Sequence, residues 1–167
     1  MTILQQQGQA AKSAAYPLAT AGTARKNAAL QAIADILTDR QEEWLRANAL
    51  DIAAAKEAGM RPALLDRLTL TAARIAGIVE GVRQIIALPD PIGRVDKMET
   101  RPNGLIIGRR RVPLGVIAII YEAPPNVTVD AAALCLKSGN ACILRGGREA
   151  IHSNLCAVSL MREALAS

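Results

Sequence analysis

The chain has 167 residues, 51% of them hydrophobic, and a net charge of +5, which suits one domain with a buried core. No apolar run approaches the ~18 residues of a membrane span, and the N-terminus lacks the apolar centre of a secretory signal. Three cysteines without paired spacing and a single histidine argue against a disulfide framework or a metal site, so we expect a reduced, cytoplasmic protein without metal.

The first half of the chain is predicted to be helical. Residues 2–21 are rich in Ala and Gln, and Pro17 should kink or shorten that helix. Thr23 is the expected N-cap of the next helix. In that helix, apolar residues at helical spacing predict one buried face: Leu30, Ile33, Ala34 and Leu37.

A third helix is predicted from Arg40 to Ala58, ending at Gly59. We expect its inward residues to be Leu45, Ala49 and Ile52, and Trp44 to be a packing residue. Asn48 and Asp51 lie three residues apart on one face, where a structural hydrogen bond is favoured over catalysis.

Two further helices are expected before the first strands. Pro62 to Leu68 should form a short helical turn, and Thr71 should cap the helix that follows. This helix should end at Leu88-Pro89-Asp90-Pro91, and it has the clearest amphipathic stripe of the chain, made of Ile75, Ile78, Val79, Val82, Ile85 and Ile86.

A β-hairpin is predicted next, from Arg94 to Thr100 and from Leu105 to Arg111, with an Asn-Gly turn at Asn103-Gly104. It carries most of the net positive charge, which could suit nucleic acid. However, with only one Trp, two Tyr and no Phe the chain offers no stacking platform, and anionic small molecules fit the charge as well. The hairpin has no sheet of its own, so it either folds onto its own domain or contacts another subunit.

A β-α-β unit follows. Val112 to Tyr121 and Ala141 to Leu144 are continuous apolar runs, as expected for strands buried on both faces. Between them, Val127 to Ser138 has a helical pattern and stops at Gly139-Asn140. A crossover of this length makes the two strands parallel. The fold class is therefore α/β.

The loops after these two strands must lie at the same edge of the sheet, where ligands of α/β proteins collect. The second loop is Arg145-Gly146-Gly147-Arg148, followed by a helix beginning near Glu149. Its glycines would admit an anion to backbone N–H groups, and its arginines suit a phosphate. The alternative is an ordinary turn with two solvated arginines.

The last helix, Glu149 to Ala166, should bury Ile151, Leu155, Val158, Met161 and Leu165, with His152 as a surface or packing residue beside them. Two parallel strands leave sheet edges open. We therefore expect residues 1–167 to be the N-terminal part of a longer protein.

Two segments carry a resemblance to a known family: PLGVIAIIYEAPPNVTVD (residues 113–130) and CLKSGNACILRGGREA (residues 135–150). They resemble the cofactor-binding half of the glutamate-5-phosphate reductases, within the aldehyde dehydrogenase superfamily. The likeness extends through NAALQAIADIL, LRANALDIAAAKEAG and LLDRLTLTAARIAGIVEGVRQI. Pro125 departs from the pattern, because relatives usually carry Arg there.

The resemblance implies an incomplete, Rossmann-like cofactor domain, residues 94–111 as an oligomerisation arm, and no catalytic domain in this chain. It implies NADPH-dependent reduction of L-glutamate 5-phosphate to L-glutamate 5-semialdehyde in proline biosynthesis, by a homo-oligomer that binds neither nucleic acid nor membrane. The alternative is a non-catalytic nucleotide-binding or assembly fragment.

Specific roles follow from the same resemblance. Asn126 would be the oxyanion donor, and the nucleophilic cysteine would lie outside the chain. Cys135, Cys142 and Cys156 sit in apolar elements, where burial disfavours a thiolate. The residues expected to contact NADPH are Tyr121, Glu122, Ala123, Pro124, Arg145, Gly146, Gly147 and Arg148.

Overall fold

A computed structural model describes residues 1–122 and 124–166 of the chain. Helices form the N-terminal half, an antiparallel hairpin follows, and a parallel β-α-β unit ends in a long helix, which confirms the predicted fold class. The helices are α1 (Ile3–Ala19), α2 (Thr23–Asp39), α3 (Gln41–Glu57), α4 (Pro62–Leu68), α5 (Ala72–Ala87), α6 (Asn126–Lys137) and α7 (Ile151–Ala166). The strands are β1 (Val95–Thr100), β2 (Ile106–Arg110), β3 (Val116–Ile120) and β4 (Ala141–Arg145).

Local signals account for most helix ends. Pro17 lies in the last turn of α1, which ends two residues later. Thr71 caps α5 as predicted and accepts a hydrogen bond from the Arg74 N–H at 3.2 Å. The prediction for Thr23 was wrong, because Gly22 is the N-cap of α2. The Thr23 hydroxyl instead donates to the Asp90 carboxylate at 2.8 Å, which fastens α2 to the segment after α5.

The main core lies between α2, α5, α6 and α7. The predicted stripe of α2 is buried, and the stripe of α5 is buried apart from Ile86, which is partly buried. These faces meet Val129 and Ala133 of α6 and Leu160 of α7, which come from the far end of the chain. The N-terminal helices and the β-α-β unit therefore share one core.

Two lysines are buried at the edge of this core. Lys26 is 2% exposed and pairs with Asp90 at 2.5 Å. Burial raises the pKa of Asp90, but hydrogen bonds from Lys26, the Ile92 N–H and Thr23 outweigh it, so the pKa lies below its usual value. Lys137 donates to Asn27 and to the Ile86 carbonyl, and burial lowers its pKa.

The buried faces of two helices differ from the predictions. In α3, Ala49 is exposed and Leu45 and Ile52 are only partly buried. In α7, Ile151, Leu155 and Leu165 are exposed. Polar residues point inward instead because they are hydrogen-bonded, and small residues allow close helix packing. The inward residues are Trp44, Asn48, Asp51 and Ala55 in α3, and Ser153, Asn154, Ala157, Leu160, Met161 and Ala164 in α7.

The two predicted strand pairs are both present. β1 and β2 are antiparallel, and every residue of these strands is exposed except the half-buried Glu99. β3 and β4 are parallel, with Val116 opposite Ala141. The expected burial of both faces was wrong for β3, whose residues alternate between exposed and half-buried. Among the described residues only β4 pairs with β3, so one edge of β3 stays open.

Within the described part of the chain, no helix is both long and apolar enough to cross a membrane.

Candidate functional site

The ends of β3 and β4 meet at one edge of the parallel sheet, as predicted. Ile120 lies opposite Arg145, and the Tyr121 N–H donates to the Arg145 carbonyl at 3.1 Å. The loop that leads to Asn126 and the loop that leads to Arg148 therefore start side by side. This edge is the candidate site.

Side-chain hydrogen bonds connect Tyr121, Thr128 and Asn154 next to this edge. The Thr128 hydroxyl donates to the Asn154 side-chain oxygen at 2.7 Å, so the Tyr121 hydroxyl donates to Thr128 at 2.6 Å. A Cβ atom at position 146 would overlap with the Asn154 amide nitrogen and lie 3.1 Å from the Tyr121 ring. Gly146 is thus required for close packing of the loop, and the Tyr121 hydroxyl already has a partner.

The rest of the second loop is more open. Arg145 and Arg148 are exposed, and neither forms an ion pair with another described residue. Gly147 precedes a short 3₁₀ turn, Arg148–Ala150. The Glu149 carboxylate occupies the space that a Cβ atom at position 147 would need. One negative charge therefore lies next in sequence to the loop that carries the unpaired Arg145 and Arg148. Anion binding by this loop stays a prediction.

The first loop brings the other predicted residues to the edge. Glu122 is exposed, Pro124 is half-buried, and Ala123 lies outside the described residues. Pro125, the departure from the family pattern, is buried and forms the N-cap of α6. It therefore supplies no positive charge here.

Asn126 is the first residue of α6 and lines a cleft of about 530 Å³. Its side-chain amide donates to Asp130, one helical turn further on, at 3.0 Å. The far wall of the cleft is the α5 face that carries Gly77 and Gly81. An amide N–H at this position can also donate to a negatively charged oxygen.

The cysteines do not lie at this edge. Cys135 is buried in α6, while Cys142 in β4 and Cys156 in α7 are half-buried. The neighbouring Cys135 thiol lowers the pKa of Cys142 to about 7, against the opposing effect of burial. Cys142 and burial together raise the pKa of Cys135, and burial raises the pKa of Cys156. The expectation that a thiolate is disfavoured was therefore wrong for Cys142.

The sequence model of the aldehyde dehydrogenase family matches residues 4–166. The chain belongs to the aldehyde dehydrogenase family.

Individual family members are similar over nearly the whole chain. Gamma-glutamyl phosphate reductase of Aeromonas salmonicida (strain A449) is 57% identical over 164 residues, which cover 98% of this chain and 39% of that protein. The protein of the same name from Moorella thermoacetica (strain ATCC 39073 / JCM 9320) is 61% identical over 151 residues, with 90% and 36% covered. The crystal structure of gamma-glutamyl phosphate reductase from Thermotoga maritima has a TM-score of 0.96 at 43% identity, and covers 99% of this chain and 40% of that one. The chain thus spans less than half the length of these relatives.

Some residues of this aldehyde dehydrogenase family member are important at the site but were not predicted from its sequence. The four-residue spacing of Asn126 and Asp130 on a helix was a signal that sequence reasoning could have used. Thr128 and Asn154, which fix Tyr121 and Gly146, gave no such signal because they lie 26 residues apart. The α5 wall of the cleft was missed for the same reason.

Proposed function

We propose that this chain forms part of an NADPH-dependent reductase that converts L-glutamate 5-phosphate to L-glutamate 5-semialdehyde in proline biosynthesis. The observation that carries the proposal is that Asn126 and the Arg145–Arg148 loop stand at the same sheet edge. The gamma-glutamyl phosphate reductases that match the chain at 57% and 61% identity support the same chemistry. The substrate is a small molecule with an acyl phosphate group.

Asn126 is proposed as the donor that stabilises the negative oxygen formed when a nucleophile attacks the acyl carbon. Its position at the first turn of α6 supports this role, because the partial positive charge of the helix terminus adds to that of the amide. The hydrogen bond to Asp130 occupies one amide hydrogen and leaves the other free for the substrate.

The residues of the second loop fit a dinucleotide with a 2′-phosphate. Two exposed guanidinium groups without ion-pair partners among the described residues flank the turn. Glycine at position 146 lets the backbone of this turn pack closely against Asn154 and Tyr121. NADPH bound there would supply the hydride. Arg145 and Arg148 would hold the 2′-phosphate, and Tyr121, Glu122, Ala123 and Pro124 would contact the cofactor from the first loop.

The nucleophile is proposed to come from the part of the relatives' length that this chain does not span. This follows because Cys135, Cys142 and Cys156 all lie away from the sheet edge. Residues 1–167 would then be the N-terminal part of the cofactor domain, and the 94–111 hairpin an arm that joins subunits of a homo-oligomer. The exposure of its strands supports that role.

The oxyanion role is tested by Asn126→Ala in an enzyme of the relatives' full length. We expect kcat to fall by about 10²–10³ while the Kd for NADPH stays nearly constant, since the lost bond forms in the transition state. Gln84→Ala, which removes an exposed side-chain amide of α5 that does not line the cleft, is the matched control. A near-normal kcat for Asn126→Ala would refute the role.

The cofactor preference is tested by Arg145→Ala in the same enzyme. The loss of a charge-assisted hydrogen bond of roughly 1.5–3 kcal/mol should weaken NADPH binding by about tenfold or more and NADH binding much less. Arg25→Ala removes an exposed arginine of α2 and should change neither. Equal losses for both cofactors would remove the 2′-phosphate assignment.

A second candidate is a nucleotide-binding or assembly segment without turnover, and the position of the cysteines favours it for residues 1–167 alone. We expect this chain to consume no NADPH in the presence of glutamate 5-phosphate. Turnover that disappears when one of the three cysteines becomes Ser would place the nucleophile in this chain.

A further inference from the structure

The cleft beside Asn126 has two glycines in its α5 wall. Gly77 and Gly81, one helical turn apart on α5, face the first turn of α6. A Cβ atom at position 77 would meet nothing within 4 Å, and one at position 81 would come no closer than 3.9 Å to the Asp130 carboxylate. The glycines therefore leave open space next to both Asn126 and Asp130.

Two acidic and two basic residues line the cleft (Asp66, Arg67, Arg74 and Asp130), but among the described residues only Asp66 and Arg74 form an ion pair. Arg74 donates to both carboxylate oxygens of Asp66 at 2.9 and 3.1 Å, so these two residues neutralise each other. Asp130 has no such partner, because no lysine or arginine in the described part of the chain lies within ion-pair distance of it. One of its oxygens accepts from Asn126 and the other lies towards Gly81.

An unpaired carboxylate next to an oxyanion donor opposes the reaction unless something offsets its charge. The negative oxygen that Asn126 would stabilise lies within reach of the same side chain, and like charges repel strongly where water is displaced. A cationic group on the ligand would remove this penalty. The proposed substrate has one such group, an α-ammonium whose nitrogen is four bonds from the reacting acyl carbon.

We propose that Asp130 is a specificity-determining residue that binds the α-ammonium group of the amino-acid substrate. One carboxylate oxygen positions the Asn126 amide, and the other accepts hydrogen bonds from the ammonium group in the space left by Gly81. This inference rests on the proposed function. It adds that the enzyme distinguishes α-amino acyl compounds from their deaminated analogues at the same side chain that orients the oxyanion donor.

The test uses an enzyme of the relatives' full length in the oxidative direction, with NADP and phosphate. Two aldehydes are compared: L-glutamate 5-semialdehyde, and 5-oxopentanoate, which differs only in lacking the amino group. Asp130→Asn removes the charge but keeps an oxygen that can accept from Asn126. We expect kcat/KM for the semialdehyde to fall by about tenfold or more, and kcat/KM for 5-oxopentanoate not to fall, because the variant removes a carboxylate that this aldehyde cannot offset.

A charge-matched control separates a local contact from a general field effect. Glu80 is an exposed carboxylate on α5 that does not line the cleft, so Glu80→Gln should leave the ratio of the two kcat/KM values unchanged. Retained turnover of 5-oxopentanoate by Asp130→Asn would show that this variant is folded.

The outcomes are distinct. An equal loss of kcat/KM for both aldehydes would mean that Asp130 acts only on Asn126. No loss of kcat/KM for either aldehyde would mean that Asp130 has no role. Both results overturn the inference and leave the proposed function standing. Inactivity of the unmodified enzyme with both aldehydes would overturn the proposed function and this inference together.

Discussion

Replacing Asp51 with alanine should destabilise the fold more than any surface change, because this side chain caps a helix from a different part of the chain. Asp51 belongs to α3 and is 3% exposed. Its carboxylate accepts bonds from the His152 N–H at 3.1 Å and ring Nδ1 at 2.7 Å, and from the Ser153 N–H at 2.8 Å and hydroxyl at 2.6 Å. These N–H groups belong to the first turn of α7, where a helix has no internal acceptors.

The size of the effect follows from what is left unpaired. Ser153 is fully buried, and Asp51→Ala would leave its N–H and its hydroxyl without their acceptor, at about 1–3 kcal/mol each. The Ser153 N–H bond is also the helix cap, so the loss of the cap is already counted. His152 is half exposed and can turn to water, so it adds little. We expect the free energy of unfolding to fall by about 2–6 kcal/mol, and by about half as much for Asp51→Asn, which keeps one acceptor.

Trp44 provides the assay because it is the only tryptophan and its indole N–H donates to the Ser153 carbonyl at 3.0 Å. Its fluorescence during urea unfolding therefore reports on the contact between α3 and α7. Asp39→Ala, which removes an exposed carboxylate with no ion pair among the described residues, is the control and should stay within about 0.5 kcal/mol. A loss below about 1 kcal/mol for Asp51→Ala would refute the capping role.

Three other predictions follow. The pKa of Asp90 is lowered in the folded state. Its contribution to stability is therefore present above about pH 4 and is lost as the pH falls through the lowered pKa. In Asp90→Asn, the urea concentration at the unfolding midpoint should depend less on pH in this acid range. Iodoacetamide should label Cys142 with an apparent pKa near 7, and Cys135→Ala should raise that pKa; the same apparent pKa for Cys142 in both proteins would contradict the effect of the Cys135 thiol. In the full-length enzyme, deleting residues 97–107 and joining the ends should shift sedimentation towards smaller species, whereas an unchanged oligomer would make the hairpin a local feature.

The parts of the fold that local physical chemistry determines were predictable from the sequence. The Thr71 cap, the stripe of α5 and the glycine-terminated α6 each depend on residues within a few turns of one another. The inward faces of α3 and α7 were not predictable in this way. Apolar content pointed to Leu155, whereas Asp51 and Ser153 turn inward only because each finds a hydrogen-bond partner about a hundred residues away.

The candidate site was also predictable only in part, for the same reason. That the two loops meet at one edge followed from the parallel crossover alone. The reason for glycine at position 146 did not, because it depends on Asn154 and Tyr121 approaching from two different elements. The exposure of Ile120 at the end of β3 also differed from expectation, since a continuous apolar run does not reveal how many neighbours its strand has.

The shared core also affects the order in which the protein can fold while it is being synthesised. Leu30 and Leu37 of α2 leave the ribosome early, but they pack against Ala157 and Leu160, which are added more than a hundred residues later. At roughly 5–20 residues per second this delay is on the order of ten seconds. For that time the nascent N-terminal helices expose an apolar face, so they are a natural binding site for chaperones that recognise unfinished chains.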